Sequence, residues 1–455
     1  MTVVIVGAGF AGTLVAVNLL RRGMPMRIVL VERTGRFGTG VAYATHDLRH
    51  RLNVVAERMS ALADEPGHFS AWARRNDGVD ARGAYLPRAR YGVYLRELLD
   101  RAMRDAPPGC ELERVDGEAV NVDVDVDGRG RGASVLLADG RRIAADDVVL
   151  ALGSLPAISP VALPDDPRVV ADPWARGALD DVTGEHSALM IGAGLTAVDV
   201  ALTVTGDNER ARLVAVSRSG CLPYDHLPGL RAAVPAPAAP ATPTTVEALE
   251  RWLMRHVARM RRDGHDWRDV IDGLRPQLNP IWQSLPHEEK RRFVHERSRA
   301  WDLRRHRMAP EVAGRVRRLL TDGRLLVRAG RVVAVRALPR TLEVLVDGAG
   351  AGSGELRTLR ADRVIACAGP GTDITTASSP LLRALLHTGT ASADPLKLGL
   401  RVTPTGTLVA ANGQPQPRLH LLGPLRRGQL WETTAVPEIR EQAAALAQAL
   451  AFASA

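Results

Sequence analysis

The sequence predicts an α/β protein built from two Rossmann-like dinucleotide-binding domains, each carrying a β-meander, with a helical insertion in the second. Three observations carry that expectation. A β-branched apolar run, Thr2 to Val6, leads into Gly7-Ala8-Gly9-Phe10-Ala11-Gly12 and then into a helical pattern from Thr13 to Arg22. The same order recurs at mid-chain, where Ala188 to Ile191 leads into Gly192-Ala193-Gly194-Leu195-Thr196-Ala197 and a helical run from Val198 to Val204. Each unit is followed by short alternating strands with turn residues, and then by an apolar strand that ends in glycine, Asp147 to Gly153 and Asp362 to Gly369. One glycine turn arises easily by chance, whereas two copies in the same internal order mark a duplicated architecture.

In the first unit Gly7 permits the tight turn, Gly9 lets the backbone approach a pyrophosphate, and Gly12 lets the helix pack on the strand. Phe10 and Ala11 lie between them, where the helix N-terminus offers unpaired N–H groups to phosphates. Glu32 stands 20 residues beyond Gly12, at the end of a second apolar strand, Arg27 to Val31. A carboxylate there accepts hydrogen bonds from ribose hydroxyls. Arg33 to Gly40 form a second glycine loop, including Gly38, that can wrap a pyrophosphate and lead the chain to a flavin, which favours FAD over NAD at this site. The turns of the first meander are Asp127-Gly128 and Asp139-Gly140, and the second meander repeats one at Asp347-Gly348.

The second glycine motif ends in alanine, and its second strand, Leu213 to Ser217, closes on Ser217-Arg218 where the first unit has Glu32. A hydroxyl and a guanidinium suit a 2′-phosphate, so Gly192, Gly194, Leu195, Thr196, Ser217 and Arg218 are expected to bind NADPH. A Pro/Ala-rich connector, Pro228 to Pro243, interrupts this unit. Thr244 to Glu247 reads as a capping box. Val246, Leu249, Leu253, Val257 and Met260 then recur at helical spacing. The helical insertion is expected at about 228–320, over the second domain. The chain returns to strand at Arg418 to Gly423 and closes with a helix from about Ala435 to Ala451. The expected domains are 1–160 and 369–455 for FAD and 161–368 for NAD(P)H.

Composition narrows the function. The chain has 455 residues, 45% of them hydrophobic, and a formal charge of +9. Between Arg251 and Leu320 lie 18 basic and 9 acidic side chains, which leaves 42 of each sign elsewhere. The excess is local, which argues against nucleic acid as a partner. No apolar stretch reaches the roughly 18 to 20 residues that span a bilayer, and the chain enters a strand at once, so a cytoplasmic protein with no membrane partner is expected. Cys110, Cys221 and Cys367 are too far apart for a CxxC pair, which excludes a redox dithiol and a cysteine zinc site. His287, His295 and His306 fit no helix face, so no metal is expected. There is no GxSxG elbow and no HExxH. Two dinucleotide sites without a dithiol imply hydride transfer to flavin, with the electrons passing to O2 or directly to an organic substrate.

Nine stretches, from VIVGAGFAGTL (Val4 to Leu14), GTGVAY (Gly38 to Tyr43) and LPRARYGVYL (Leu86 to Leu95) to GAGLTAVDV (Gly192 to Val200), WDLRRHRMAP (Trp301 to Pro310) and GPLRRGQLWETTAVPEIREQA (Gly423 to Ala443), resemble a bacterial FAD/NAD(P)-binding family of the two-dinucleotide-binding-domain flavoproteins. More distantly the chain is similar to flavin-dependent N-hydroxylating monooxygenases, through Pro87-Arg88 with Tyr94 and the Ala151-Leu152-Gly153 linker. It departs from them in carrying Leu152 for Thr and in lacking an FxGxxxHxxxW pattern. The resemblance implies a glutathione-reductase-like arrangement in which the first and last segments share the FAD domain. It further implies that Gly423, Trp431, Thr433 and Thr434 bring a helix N-terminus against the flavin. It favours Arg88 as a phosphate contact. Asn53, Met59 and Ser60 follow the second glycine loop and are candidates to line the isoalloxazine, with a place in the core as the alternative for Met59. Arg304 and His306 are substrate candidates, with a solvated helix face as the alternative. The resulting expectation is an FAD-dependent, NADPH-reduced monooxygenase of a small amine or other heteroatom, using O2. A flavin dehydrogenase or reductase without oxygen insertion, and a non-catalytic flavin sensor or scaffold, stay open. Oligomeric state is not legible in the sequence.

Overall fold

Each glycine motif lies at the end of a strand with parallel neighbours on both sides, in its own mixed sheet. The computed structural model describes residues 1–78, 80–124, 132–182, 187–206, 208–239, 245–348 and 356–452. The first sheet runs in the order Thr407–Val409, Pro415–Leu421, Asp147–Leu150, Thr2–Val6, Met26–Glu32, Cys110–Asp116. Thr2–Val6 is its centre: Val6 pairs in parallel with Val31 on one side and with Leu150 on the other. Val3, Val4 and Ile5 have no exposed surface. A strand covered on both faces must be apolar throughout, which is why this run shows no alternation. Leu419 pairs with Val148, so the C-terminal part of the chain completes the sheet begun by the N-terminus.

The second sheet runs Leu356–Ala361, Leu342–Gly348, Leu325–Ala337, Arg212–Ser217, Ser187–Ile191, Arg363–Ala366, Val169–Val170. Its meander differs from the first. Strands Ala119–Val124, Ala133–Leu137 and Arg142–Ala145 form a separate three-stranded sheet, whereas Leu325–Ala337 serves two layers at once. Its first residues pair in parallel with Leu213 to Ser217, and beyond Gly330 it turns antiparallel against Leu342–Gly348 with a bulge between Val332 and Ala334. The bulge twists one long strand from one partner to the next. Asp139-Gly140 makes its turn, with Gly140 at φ 88°. Asp127-Gly128 lies outside the described residues.

Helix Phe10–Arg22 begins three residues before its apolar pattern, directly on Gly9, and ends on Gly23 at φ 67°. It is covered by Arg88–Arg104 and by the C-terminal helix Val436–Phe452. The insertion holds Val246–Arg262, Trp267–Gly273, Arg275–Ser284, His287–Arg292, a π-turn at Phe293–Arg297, and Ser298–Arg305, and Pro310–Thr321 leads back to the sheet. The cap of its first helix is Thr245, whose hydroxyl accepts the Ala248 N–H at 3.1 Å, while Glu289 accepts the Val246 N–H at 2.6 Å. Thr244, where the capping box is expected to begin, lies outside the described residues; Thr245 is the cap, and the acid that accepts from the first turn is Glu289 from another helix.

The insertion does not rest on the second sheet alone. Trp282 and Phe293 pack against Trp431, with ring centroids 5.0 and 4.9 Å apart, and the Trp282 indole donates to Gly428 O at 2.9 Å. Asn279 exchanges hydrogen bonds with both backbone groups of Glu432, each at 2.9 Å. The segment that ends the first sheet is thus the floor on which the insertion stands. No described helix is long and apolar enough to cross a membrane.

Candidate functional site

The first cradle is fixed by backbone contacts that only glycine allows. Gly7 has φ 100°, and a Cβ there would sit 2.4 Å from Ala151 O. A Cβ on Gly12 would lie 1.9 Å from Gly7 O. Gly9 is different: its backbone is extended, and a Cβ would meet only Gly40, in ordinary contact with its Cα at 3.5 Å. The Arg33–Gly40 loop has folded onto the motif, with the Gly38 N–H donating to Ala8 O at 2.9 Å and Gly38 at φ 98°. Glu32 spans the same turn. One carboxylate oxygen accepts the Ala8 N–H at 3.0 Å, and the other accepts the Thr34 N–H at 3.0 Å and its hydroxyl at 2.8 Å. Arg33 is exposed beside it.

The second cradle repeats this construction. Gly192 has φ 122°, and its Cβ would fall 2.4 Å from Cys367 O, as that of Gly7 does from Ala151 O. A Cβ on Gly194 would meet nothing within 4 Å. Neither Phe10–Arg22 nor Leu195–Thr205, which opens with Leu195 and Thr196, has a side-chain cap. Both helices thus offer their first N–H groups beside an open glycine, an arrangement that fits a pyrophosphate in each place. Ser217 Oγ is buried with no partner among the described residues, and Arg218 is exposed at the strand end. Arg299, from the insertion, donates to Ala193 O at 3.3 Å, and its pKa is lowered by burial and further by the charge of Arg218. Sequence reasoning missed Arg299, which lies far from the motif along the chain.

Other expected residues are placed differently. Arg88 does not face the first cradle. Its guanidinium pairs with Asp199 at 2.7 Å, on the helix of the second cradle, and donates to Arg51 O. It joins the two units through the helix of the second cradle. His50 makes the same crossing, with Nε2 2.9 Å from Thr203 Oγ1. Met59 is 3% exposed in the core with Phe10 and Leu14, and Ser60 is fully buried, its hydroxyl donating to Glu65 O at 2.6 Å. Both side chains turn inward, while the Asn53 carbonyl faces His226 Nε2 at 2.9 Å. Gly153 has φ 71° with open space around it. Gly423, at φ 91°, stands against Ala11 of the first motif, where a Cβ would lie 3.7 Å from that of Ala11. Thr433 is fully buried and donates to Gly423 O at 3.1 Å, and Thr434 is exposed ahead of the C-terminal helix. Trp431 packs on the insertion, and the Arg427 guanidinium lies over its ring at 3.9 Å.

In the run Arg304 to Arg307 the buried members are Arg305 and Arg307, not the two substrate candidates Arg304 and His306. Arg304 is exposed, donating to Ala300 O and lying 5.8 Å over the Tyr224 ring. His306 is 3.7 Å from Asp302 and is held neutral, its pKa pushed down to about 4 by burial and by Arg305. Arg305 pairs with Glu432 at 3.0 Å, both nearly inaccessible, and Arg307 has no exposed surface and pairs with Asp272. His226 is likewise held neutral, its pKa lowered to about 3 by burial and by Arg307. Two cavities of about 350 Å³, one lined by His68, Trp72 and Arg101 and the other by Phe37, Arg96 and Arg114, lie on the first unit away from the second cradle.

This fold and its paired cradles define a two-dinucleotide-binding architecture. Residues 4–155, a third of the chain, match the family described as FAD-NAD(P)-binding. An L-aspartate N-monooxygenase (nitrosuccinate-forming) of Streptomyces cremeus is 33% identical over 208 residues, 38% of this chain and 31% of that protein. The match thus spans less than a third of the relative's length. The reduced form of an ornithine hydroxylase from Pseudomonas aeruginosa superposes with a TM-score of 0.66 at 16% identity, over 100% of this chain and 99% of its own. An L-lysine 6-monooxygenase from Pseudomonas syringae does so with 0.65 at 16%, over 100% and 99%. At such identities these two structures establish the fold.

Proposed function

We propose that the chain is an FAD-dependent, NADPH-reduced monooxygenase that places one oxygen atom of O2 on the nitrogen of a small amine, the second atom leaving as water. One observation carries the reading. Two glycine cradles of matching geometry sit on adjoining sheets, and no pair of cysteines lies between them: Cys110 and Cys367 are buried, Cys221 is exposed, and all three are free. Electrons that enter from a nicotinamide have no disulfide to reduce. The flavin, when bound, supplies the redox chemistry. The protein's share is placement. Glu32 holds the ribose, and the two uncapped helix N-termini hold pyrophosphates. Ser217, Arg218 and Arg299 hold the 2′-phosphate of NADPH. The Trp282, Phe293 and Trp431 cluster keeps water from the flavin end. The choice of an amine follows the relatives, which are named for aspartate, ornithine and lysine.

The test is NADPH oxidation screened against amino acids and simple amines, with products weighed after turnover under labelled O2. Label on the product nitrogen supports the proposal. Turnover with an unlabelled product points to a dehydrogenase or reductase, and no turnover with any amine points to a sensor.

A further inference from the structure

We propose that Arg426 is a positioning residue for the flavin: an unneutralised buried guanidinium that acts through Gln442 and Thr433 to favour negative charge on the reduced ring. The inference rests on the FAD reading above. Three arginines are buried among the described residues: Arg305, Arg307 and Arg426. Arg305 has Glu432 and Arg307 has Asp272, but Arg426, at 5% exposure, has no carboxylate. Its acceptors are all neutral. Nη2 donates to Pro404 O at 3.1 Å and to Gln429 Oε1 at 3.0 Å, Nη1 reaches Gln442 Oε1 at 3.5 Å, and Nε has no partner among the described residues. Burial draws its pKa down to about 10, which still leaves it charged at neutral pH.

The slot is built for this side chain. Gly406 has φ 90°, and a Cβ there would lie 2.8 Å from Arg426 Nη1, so any other residue would push the guanidinium out. Burying a cation without a counter-ion is costly, and proteins meet that cost with a nearby anion. The direction in which the charge is felt is visible in the hydrogen bonds. Gln442 Nε2 donates to Thr433 Oγ1 at 3.0 Å, and Thr433 donates to Gly423 O, against the first glycine motif. The chain therefore leads from Arg426 to the N-terminal end of the helix Val436–Phe452, where the helix dipole adds positive potential of its own. A hydride from NADPH brings two electrons and one proton, so a neutral ring that accepts it becomes an anion unless a second proton arrives. That anion is the counter-charge that the protein itself does not supply.

The experiment uses the FAD-loaded full chain and two readouts besides turnover: the midpoint potential against a reference dye, and the affinity of the oxidised flavin for sulfite, an anion that leaves the ring negatively charged. Arg426→Met removes the cation. Gln442→Glu keeps it but sets a carboxylate against it, and Arg426→Lys retains the charge. Both neutralising variants are expected to weaken sulfite binding about tenfold and to lower the potential by about 30 mV, the two-electron equivalent of tenfold. Arg426→Lys restores most of both. If Arg426→Met does not fold, Gln442→Glu decides alone. FAD retained by Gln442→Glu with sulfite affinity and potential unchanged overturns the role of Arg426 and leaves the FAD reading standing. Failure of the wild type to retain FAD overturns both.

Discussion

Replacing Gly194 by valine separates the second cradle from the fold that carries it. The glycine precedes the helix Leu195–Thr205 with φ −91° and ψ −169°, an extended backbone that any residue adopts. A Cβ on it has no atom within 4 Å, so the folded state meets no clash. What valine fills is the space through which a pyrophosphate would reach the first N–H groups of the helix. A hydrogen bond to a charged group is worth about 1.5–3 kcal/mol, so losing one should raise the KM for NADPH about 10- to 150-fold. The assay is KM for NADPH, measured with FAD content and thermal unfolding on the same preparation. FAD content and unfolding midpoint should match the wild type. A KM within about twofold of wild type would refute the assignment of the cradle, since a charge-assisted bond cannot be lost so cheaply. Gly12→Ala is the contrast: its Cβ, 1.9 Å from Gly7 O, cannot be accommodated, and the variant should fail in stability before it fails in binding.

Further outcomes follow from the same geometry. Arg218→Ala and Arg299→Ala should each raise the KM for NADPH far more than that for NADH; equal effects on both would show that neither reads the 2′-phosphate. Glu432→Ala leaves Arg305 buried without its partner and should cost about 3–5 kcal/mol in denaturant unfolding, whereas Arg305→Met combined with Glu432→Leu should recover most of it, and a single-variant cost below about 1 kcal/mol would sink the argument. His226 protonates near pH 6.5 in the unfolded chain but only near 3 in the fold, so acid favours unfolding, and stability should fall as pH drops from 6.5 towards 3. His226→Gln should flatten that slope between pH 7 and pH 5, and an unchanged slope would mean that the imidazole is not held neutral.

Residues whose backbone geometry has a single solution were legible in the sequence. Gly7, Gly12 and Gly192 stand where no Cβ fits, so the spacing of glycines reports the contact directly. Glu32 follows from the length of one helix and one strand. Residues whose role depends on where a side chain points were not legible. Arg88 faces Asp199, 111 positions away, and Met59 turns into the core, because distant packing decides both. The run Arg304 to Arg307 shows the limit most clearly. The helix Ser298–Arg305 ends inside it, and His306 leaves helical geometry at φ −100° and ψ 85°. Arg305 at the last helical position and Arg307 beyond it are buried with Met308 and Ala309, while His306 between them is only half-buried.

The basic excess of the insertion takes its meaning from where its partners lie. Arg268 pairs with Asp225 at 2.7 Å, and Arg307 with Asp272, both within or beside the insertion. Arg305 and Arg275 instead reach Glu432 and Glu438, on the segment that completes the first sheet and leads into the C-terminal helix. These are charges drawn from the interior of the fold, and a buried ion pair contributes more to a single geometry than to net stability. Swinging the insertion away would strand Arg305 and Glu432 in a dry interface and would break the stack of Trp282 on Trp431. An element tied in this way is a fixed wall. Two arginines of the basic segment, Arg275 and Arg305, hold the insertion against Glu438 and Glu432, beside the threonines proposed to face the flavin.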